Sequence, residues 1–241
     1  MAREKGGFWV GMCAVLFYPF TWLVSRWRIE GLDKVPATGP VLVVANHISY
    51  LDPVFSAVFV HRARRVPRFL AKASIWKVPV AGWTMAGSGQ IPVYRGSADA
   101  KDSLRAANAA LAAGKLVVIY PEGTITKEPD GWPMYARTGV ARLALDNDVP
   151  VLPVARWGTK AILDGYHRTF RPFPRHDVVT VVGEPVDLSK YRGREVGQKD
   201  MREVTDLLMG EITSLVAQVR GETPPVAVFK LPPTKPKRDK R

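Results

Sequence analysis

Residues 46–52 place an imidazole and a carboxylate close together, directly after a short apolar run. His47 precedes Asp52 by five residues in the sequence Asn-His-Ile-Ser-Tyr-Leu-Asp. At this spacing Asp52 can accept the proton on Nδ1 of His47, which fixes the tautomer and leaves Nε2 free to take a proton from a substrate hydroxyl. The pattern is weak by itself, because Asp52 also precedes Pro53 and would serve equally well as the N-cap of a helix.

A second candidate segment follows a later apolar run and carries a carboxylate beside a glycine. In Tyr-Pro-Glu-Gly-Thr, residues 120–124, Glu122 supplies the carboxylate and Gly123 allows the backbone to approach a ligand closely. An ordinary turn with an exposed glutamate would have the same sequence. In an open α/β sheet, ligands bind beyond the carboxyl ends of the strands, so we expect Glu122 to lie at the edge that holds His47.

The elements that must position these residues form an alternating α/β pattern. Runs rich in β-branched residues predict strands at 41–45, 68–72, 90–94, 115–120, 149–155 and 178–182. Patterns of helix formers predict helices at 97–113, 135–147 and 200–220. The strands at 41–45 and 115–120 are apolar almost throughout, which is typical of strands covered on both faces. We therefore predict an α/β fold with a mostly parallel or mixed sheet flanked by helices.

The chain carries a large excess of positive charge. Its 241 residues include 35 Lys and Arg against 22 Asp and Glu, which gives a net charge of +13. No acidic residue lies between Asp52 and Asp99, and residues 223–241 form a basic, proline-rich tail. This distribution suits either nucleic acid or an anionic lipid surface. Cys13 is the only cysteine, so the sequence excludes an intrachain disulfide and a cysteine-based zinc site, and it fits a reducing compartment.

An apolar segment near the N-terminus favours the lipid surface over nucleic acid. Residues 8–24 are apolar except for a glycine, a proline and a threonine, and basic residues flank the segment on both sides. Pro19 would kink or break a helix here, and cationic flanks favour the cytosolic side of a membrane. We expect a kinked helix or hairpin that dips into one leaflet and returns. A single membrane span, a cleaved signal peptide and a buried helix are the alternatives.

This organisation divides the chain into three parts. Residues 1–30 are predicted to be a membrane-associated helical motif, residues 31–222 an α/β domain, and residues 223–241 the basic tail. The protein is accordingly expected on the cytoplasmic face of the cell membrane, as a peripheral or monotopic protein with membrane lipid as a partner.

Residues 46–52 and 120–124 together resemble two sequence blocks of the glycerophosphate and lysophosphatidate acyltransferase family. Residues 89–95, Gly-Gln-Ile-Pro-Val-Tyr-Arg, are similar to the family's glycine-to-arginine block, and residues 149–154, Val-Pro-Val-Leu-Pro-Val, are similar to its late strand. The four blocks follow the family's order, and the resemblance covers roughly residues 41–182. The N-terminal segment is also similar to the membrane-dipping helical motif of bacterial members.

The resemblance implies a role for each candidate residue. His47 would be the general base and Asp52 its partner. The phosphorylated acceptor would be bound by a second set of residues, which comprises Lys72, Arg95, Glu122, Gly123, Thr124 and Arg137. The chain departs from the family's pattern at four positions. Members commonly have Arg-Ser where this chain has Ile125 and Thr126, an aromatic residue where it has Pro92, and an acid where it has Tyr94.

The implied reaction moves a fatty acyl chain from a thioester, acyl-CoA or acyl carrier protein, to the sn-2 hydroxyl of 1-acylglycerol-3-phosphate, giving phosphatidic acid. No metal, cofactor or nucleic-acid partner is expected. Glycerol-3-phosphate or another lysophospholipid is an alternative acceptor. A membrane-tethered nucleic-acid-binding protein would explain the charge but not the polar residues at the strand ends. A thioesterase is disfavoured because the chain lacks a nucleophile elbow.

Overall fold

Nine strands and seven α-helices make up the part of the chain that the computed structural model describes, which is residues 4, 6–93 and 99–231. The strands are β1 (Ser25–Glu30), β2 (Val41–Ala45), β3 (Pro67–Lys72), β4 (Ile91–Val93), β5 (Leu116–Ile119), β6 (Val151–Trp157), β7 (Leu163–Asp164), β8 (Thr169–Phe170) and β9 (His176–Val182). The helices are α1 (Phe8–Val24), α2 (Asp52–Arg62), α3 (Ala81–Gly87), α4 (Asp99–Ala112), α5 (Gly139–Asp146), α6 (Thr159–Ile162) and α7 (Gln198–Arg220).

Seven of the strands form one sheet in the order β1-β9-β6-β2-β5-β3-β4. β2 pairs in parallel with β5 and β6, and β3 pairs in parallel with β5 and β4. β9 runs antiparallel to β6, and β1 runs parallel to β9. β7 and β8 form a separate antiparallel pair. The prediction of a mostly parallel, mixed sheet flanked by helices is confirmed.

Helices cover both faces of the central strand, as its apolar sequence predicts. All five residues of β2 are buried. Leu42 and Val44 face a cluster that includes side chains from α4, α5 and α7, whereas Val41 and Val43 face a cluster that includes Phe59 of α2. Because successive side chains of a strand point to opposite faces, this strand is held in register from both sides. Its carboxyl end, where His47 follows, is therefore a rigid point of the fold.

The predicted strands and helices correspond to observed elements, with shifts at their ends. The predicted helix at 135–147 begins only at Gly139, because residues 135–137 have no regular secondary structure and the N–H of Arg137 donates to the carbonyl of Pro121 at 3.0 Å. The sequence analysis did not predict β1, α3, α6, β7 or β8. It treated Asp52 as a possible helix cap, and Asp52 is in fact the first residue of α2.

The strand β1 lies within the segment that the sequence assigned to the N-terminal motif. Residues 25–30 pair with β9 at the edge of the sheet, and the side chains of Trp27 and Ile29 pack against the core. Arg26 faces outward and forms an ion pair with Asp177 of β9 at 2.7 Å. The sheet therefore begins at Ser25, six residues before the expected start of the α/β domain.

The apolar N-terminal segment is one helix, α1, rather than a hairpin. It contacts α2, α3 and β1, and it continues past Pro19 to Val24. Five large apolar side chains of α1 are exposed, namely Phe8, Val15, Leu16, Trp22 and Leu23. None of the helices in the described part of the chain combines the length and the apolarity needed to cross a bilayer.

Candidate active site

The side chains of His47 and Asp52 form a hydrogen-bonded pair at the carboxyl edge of the sheet. Nδ1 of His47 lies 2.9 Å from Oδ2 of Asp52. The same oxygen accepts the backbone N–H groups of Ile48 and Ser49 at 2.7 and 2.8 Å, and Oδ1 accepts the hydroxyl of Thr159 at 2.6 Å. The carboxylate thus binds the loop before α2 instead of capping that helix. With Asp52 as acceptor, Nδ1 of His47 carries the proton and Nε2 is the basic atom.

A buried arginine stabilises Asp52 and the residues around it. Arg156, the residue before the last of β6, donates to the backbone carbonyl of Asp52 at 2.8 Å, to Oγ of Ser56 at 2.6 Å and to Oγ1 of Thr180 at 3.1 Å. Burial by itself would raise the pKa of Asp52, but the hydrogen bond and charge of His47 and the charge of Arg156 outweigh it, so that the pKa is lowered. Asp52 is therefore a fixed negative charge at neutral pH.

The ring of Tyr120 fixes the plane of the imidazole. The two rings are stacked, with centroids 4.4 Å apart and an interplanar angle of 21°. The hydroxyl of Tyr120 shares a hydrogen bond with Oγ of Ser56 at 2.9 Å, so the ring is tied to Arg156 through that serine. The side chain of His47 remains 13% exposed, whereas that of Asp52 is fully buried. Solvent and a substrate hydroxyl can therefore reach the imidazole but not the carboxylate.

Glu122 is buried and binds backbone on both sides of the site. Its Oε1 accepts the N–H of His47 at 2.9 Å, and its Oε2 accepts the N–H of Met134 at 3.0 Å. Burial raises the pKa of Glu122 to about 8. An exposed turn residue is thus excluded, and Glu122 joins the loop of His47 to the loop that precedes α5.

Arg137 lies over the turn that contains Gly123. Gly123 has a φ of 70°, and a Cβ atom at this position would lie 3.6 Å from Nε of Arg137. The side chain of Arg137 is exposed, and that of Thr124 is half-buried. A cation therefore lies beside the backbone of the Glu-Gly-Thr turn, next to the edge at which His47 is found.

The two remaining candidate residues follow strands on one side of the sheet. Lys72 is the last residue of β3 and is exposed. Because β3 and β2 both run parallel to β5, Lys72 and His47 lie at the same edge of the sheet. Arg95 follows β4 in the sequence and lies outside the described residues. The structure thus brings His47, Asp52 and the 120–124 turn into contact and places Lys72 further along the edge.

Three buried side chains that hold Asp52 or the stacked Tyr120 ring in place were missed in the sequence analysis. Ser56, Arg156 and Thr159 are all 3% exposed or less. Arg156 follows the predicted strand at 149–155 directly, so a charged residue at the carboxyl end of an apolar strand was the available signal. No local signal marks Ser56, which owes its role to its position one helical turn after Asp52.

A second histidine–aspartate pair occurs at the surface. Nδ1 of His167 lies 2.8 Å from Oδ2 of Asp164, at the turn between β7 and β8. The side chain of His167 is 77% exposed. The distance between imidazole and carboxylate is nearly the same in the two pairs. They differ because the pair of His47 has buried supporting side chains and that of His167 lacks them.

A comparison with family models identifies one match. The model described as Acyltransferase matches residues 26–157, which is more than half of the chain. The matched range includes His47, Asp52, Glu122 and Arg156, and thus most of the geometry described above.

Related sequences are similar to parts of the chain. The 1-acyl-sn-glycerol-3-phosphate acyltransferase BAT2 of Brassica napus, a chloroplast protein, is 29% identical over 152 residues, which cover 62% of this chain and 41% of that protein. The lyso-ornithine lipid O-acyltransferase of Pseudomonas aeruginosa is 34% identical over 118 residues, which cover 48% of this chain and 42% of that protein. The chain spans about two fifths of the length of these curated relatives.

A solved structure has the same fold. The crystal structure of the 1-acyl-sn-glycerophosphate acyltransferase PlsC from Thermotoga maritima matches with a TM-score of 0.67 and 24% sequence identity. The match covers 90% of this chain and 81% of that one. The likeness extends beyond the range of the family model and includes the arrangement of the sheet and its helices.

Proposed function

Because the chain belongs to the Acyltransferase family, we propose that it transfers a fatty acyl group from a thioester to the sn-2 hydroxyl of 1-acylglycerol-3-phosphate, forming phosphatidic acid. The observation that carries this proposal is the pair formed by His47 and Asp52 at 2.9 Å, at the edge of the sheet where the imidazole is accessible. The names of the relatives supply the class of acceptor.

His47 acts as the general base in this reaction. Nε2 removes the proton of the acceptor hydroxyl while the oxygen attacks the thioester carbonyl, and a tetrahedral intermediate forms. When the C–S bond breaks, the proton on Nε2 passes to the leaving thiolate, so that ester and thiol are the products. Asp52 stabilises the transient imidazolium through Nδ1–H, and the face of the stacked Tyr120 ring adds to that stabilisation. The chemistry requires no serine or cysteine nucleophile.

The acceptor phosphate is bound by cations at the same edge. Arg137 beside Gly123 provides a planar guanidinium that can hold two phosphate oxygens, and Lys72 provides a point charge. Arg95, which follows β4 in the sequence, completes the proposed set. Ile125 and Thr126 cannot take part, because both are 4% exposed, and the hydroxyl of Thr126 donates to the carbonyl of Trp132 at 2.8 Å. Lys127 or Arg137 must therefore take the place of the arginine that the family commonly has after Glu-Gly-Thr, and we assign this role to Arg137 because it lies beside Gly123.

The exposed apolar side chains of α1 support a location at a membrane surface. They would lie among lipid chains while the flanking basic residues contact headgroups, as in an interfacial helix. The protein is accordingly a peripheral or monotopic protein of the cytoplasmic membrane face. Its lipid acceptor enters from the leaflet, and its donor, acyl-CoA or acyl carrier protein, arrives from the cytosol.

A different lysolipid is the second candidate acceptor. The relative from Pseudomonas aeruginosa is named for lyso-ornithine lipid, and the chain lacks the Arg-Ser pair after Glu-Gly-Thr. The same base would serve such an acceptor, because the reacting hydroxyl is chemically equivalent.

Thiol release tests the proposed reaction. The purified protein is incubated with a long-chain acyl-CoA, with and without lysophosphatidate, glycerol-3-phosphate or lyso-ornithine lipid, and products are identified by mass. We expect thiol release that depends on lysophosphatidate, with phosphatidic acid as the product. Release without any acceptor would indicate a thioesterase. No release with any acceptor, together with salt-sensitive binding of DNA, would contradict the enzyme assignment.

A further inference from the structure

Three large apolar side chains are exposed on a short segment far from α1 in sequence. Val78 is 52% exposed, Val80 58% and Trp83 63%, and they lie in and just before α3. We call residues 78–83 the apolar turn. Soluble proteins seldom expose so many apolar groups in so short a segment without a partner.

The backbone of the apolar turn is held in a strained conformation that directs these side chains outward. Val80 has a φ of 64° and a ψ of −53°. The N–H of Ala81 donates to the carbonyl of Pro79 at 2.7 Å, which closes a γ-turn around Val80. A β-branched residue is rarely found in this region of φ and ψ. Strain of this kind persists only where the surrounding structure enforces it and is concentrated at functional segments.

The apolar turn belongs to the same surface as the start of α1. Gly87 of α3 lies flat against the indole of Trp9, because a Cβ atom at Gly87 would approach Cδ1 of that ring to 1.9 Å. The ring of Phe8, which is exposed, packs edge-on against Trp9 with centroids 5.4 Å apart. Trp83 precedes Gly87 by one helical turn and so lies on the same side of α3. The exposed side chains at the start of α1 and those of the apolar turn are therefore fixed relative to each other.

The charge around the apolar turn is entirely positive in sequence. Residues 53–98 contain no aspartate or glutamate. Lys77 directly precedes the turn and Lys72 ends β3, and both side chains are exposed. Apolar side chains bordered by lysines match a bilayer that has anionic headgroups, since the lysines can stay at headgroup depth while the apolar groups enter the acyl region.

We propose that the apolar turn is a second membrane-inserting element, which enters an anionic leaflet beside α1. This inference rests on the proposed function, because it describes how the enzyme is oriented on the membrane that supplies its acceptor. One helix on a membrane can roll about its own axis, whereas two contacts that are not collinear fix the molecule. The turn follows the carboxyl end of β3, so its insertion brings the edge that holds Lys72 and His47 to headgroup depth.

Site-specific labelling tests the insertion directly. Cys13 is the only cysteine, so Cys13→Ala gives a background in which a single new cysteine can carry an environment-sensitive fluorophore. Labels are placed at Val80→Cys, at Val15→Cys on α1, and at Leu207→Cys, an exposed site on α7. With vesicles of phosphatidylcholine and phosphatidylglycerol we expect blue-shifted emission and protection from iodide at positions 80 and 15 but not at 207. Protection at 15 without protection at 80 would overturn the proposal.

A paired variant separates membrane insertion from catalysis. Val80→Ser combined with Trp83→Ser should reduce binding to the same vesicles at least about tenfold, because it removes two apolar groups from the acyl region. Acyl transfer in detergent micelles should stay unchanged, and Leu207→Ser should alter neither quantity. Unchanged vesicle binding in the double variant would overturn the proposal. Absence of acyl transfer by the unmodified protein in micelles would instead contradict the proposed function. The vesicle-binding measurement would still test the membrane insertion of the apolar turn.

Discussion

Arg156 is the residue whose buried charge most directly supports the proposed catalytic pair, His47 and Asp52. It donates to the backbone of Asp52 and to Ser56, and its charge helps to lower the pKa of Asp52. The ionised form of Asp52 is the one that accepts Nδ1–H of His47. Removing the guanidinium would therefore weaken the base through its partner, although Arg156 does not touch the reacting atoms.

The first prediction concerns the substitution Arg156→Met. The pKa of Asp52 should rise, so the acid limb of the pH dependence of kcat/KM should move to higher pH, and the protein should lose about 3–5 kcal/mol of stability. Arg156→Lys, which keeps the charge, should show a smaller displacement of the limb. A uniform loss of activity at every pH, with the limb unmoved, would show that Arg156 contributes only to folding.

The second prediction concerns the titration of Glu122. Its pKa in the folded protein, about 8, lies above the value of 4.5 expected for an unperturbed glutamate. The folded state then holds a proton that the unfolded state releases, so stability must fall as the pH rises between these two values. The free energy of unfolding of the unmodified protein, relative to Glu122→Gln, should decrease from about pH 5 to about pH 8 in urea titrations. A difference that is independent of pH would contradict the raised pKa.

At the scale of single residues, the local pair of His47 and Asp52 could be predicted, whereas for Glu122 only the sheet edge that it shares with His47 could be predicted and not the bond itself. His47 and Asp52 are five residues apart, so their pairing follows from the sequence. The bond between His47 and Glu122 joins residues 75 positions apart, and the bond between Asp52 and Arg156 joins residues 104 apart. Such contacts depend on the order of the strands, which the sequence pattern does not determine.

At the scale of elements, the connection from β6 to α6 places Thr159 against Asp52. Gly158 has a φ of 96°, and a Cβ atom there would lie 2.0 Å from the backbone carbonyl of Asp177 in β9. Only glycine fits this close approach of two elements. The short helix α6 begins directly after it, so the hydroxyl of Thr159 is positioned by this turn.

The third prediction compares two glycine substitutions that share the same backbone requirement. Gly158→Ala should destabilise the protein by about 4 kcal/mol or more, because the pairing of β6 with β9 must shift to relieve the clash. Gly114→Ala is the matched control, since Gly114 has a φ of 73° with no atom within 4 Å of the added Cβ. It should cost only about 1–2 kcal/mol, the strain of a left-handed residue. Equal losses in thermal or urea unfolding would contradict the account of Gly158.

The strand β1 escaped prediction because its partner in the sheet is distant in sequence. Strands such as β2 and β5 could be predicted because their apolar runs are self-contained. The strand β1 could not, because its pairing partner β9 is about 150 residues away, as the bond from Arg26 to Asp177 illustrates. The sequence of β1 alternates apolar and charged residues, yet its basic side chains are equally typical of a membrane flank.

At the scale of the whole molecule, positive charge and exposed apolar surface both contribute to the proposed membrane binding. The net charge is +13, and both α1 and the apolar turn carry exposed apolar side chains. In the proposed membrane binding, the apolar contribution should be insensitive to moderate salt, whereas the contribution of surface cations should be screened.

The fourth prediction follows from the different salt dependence of the apolar and the cationic contributions to membrane binding. Binding to vesicles that contain phosphatidylglycerol should weaken at least about fivefold between low salt and about 1 M salt, where the Debye length is roughly 3 Å. Binding to pure phosphatidylcholine should change little over the same range. Equal salt dependence on both vesicles would contradict a role for anionic headgroups.

The measurement that tests the central claim most directly compares the two histidines that are paired with aspartates. His47→Ala and His167→Ala remove imidazoles at nearly the same distance from a carboxylate, 2.9 and 2.8 Å. Thiol release from acyl-CoA that depends on lysophosphatidate is measured for both variants and for the unmodified protein. We predict a loss of about 10³-fold for His47→Ala, typical of removing a general base, and a change of less than about twofold for His167→Ala. Retention of acceptor-dependent thiol release by folded His47→Ala protein would contradict the account.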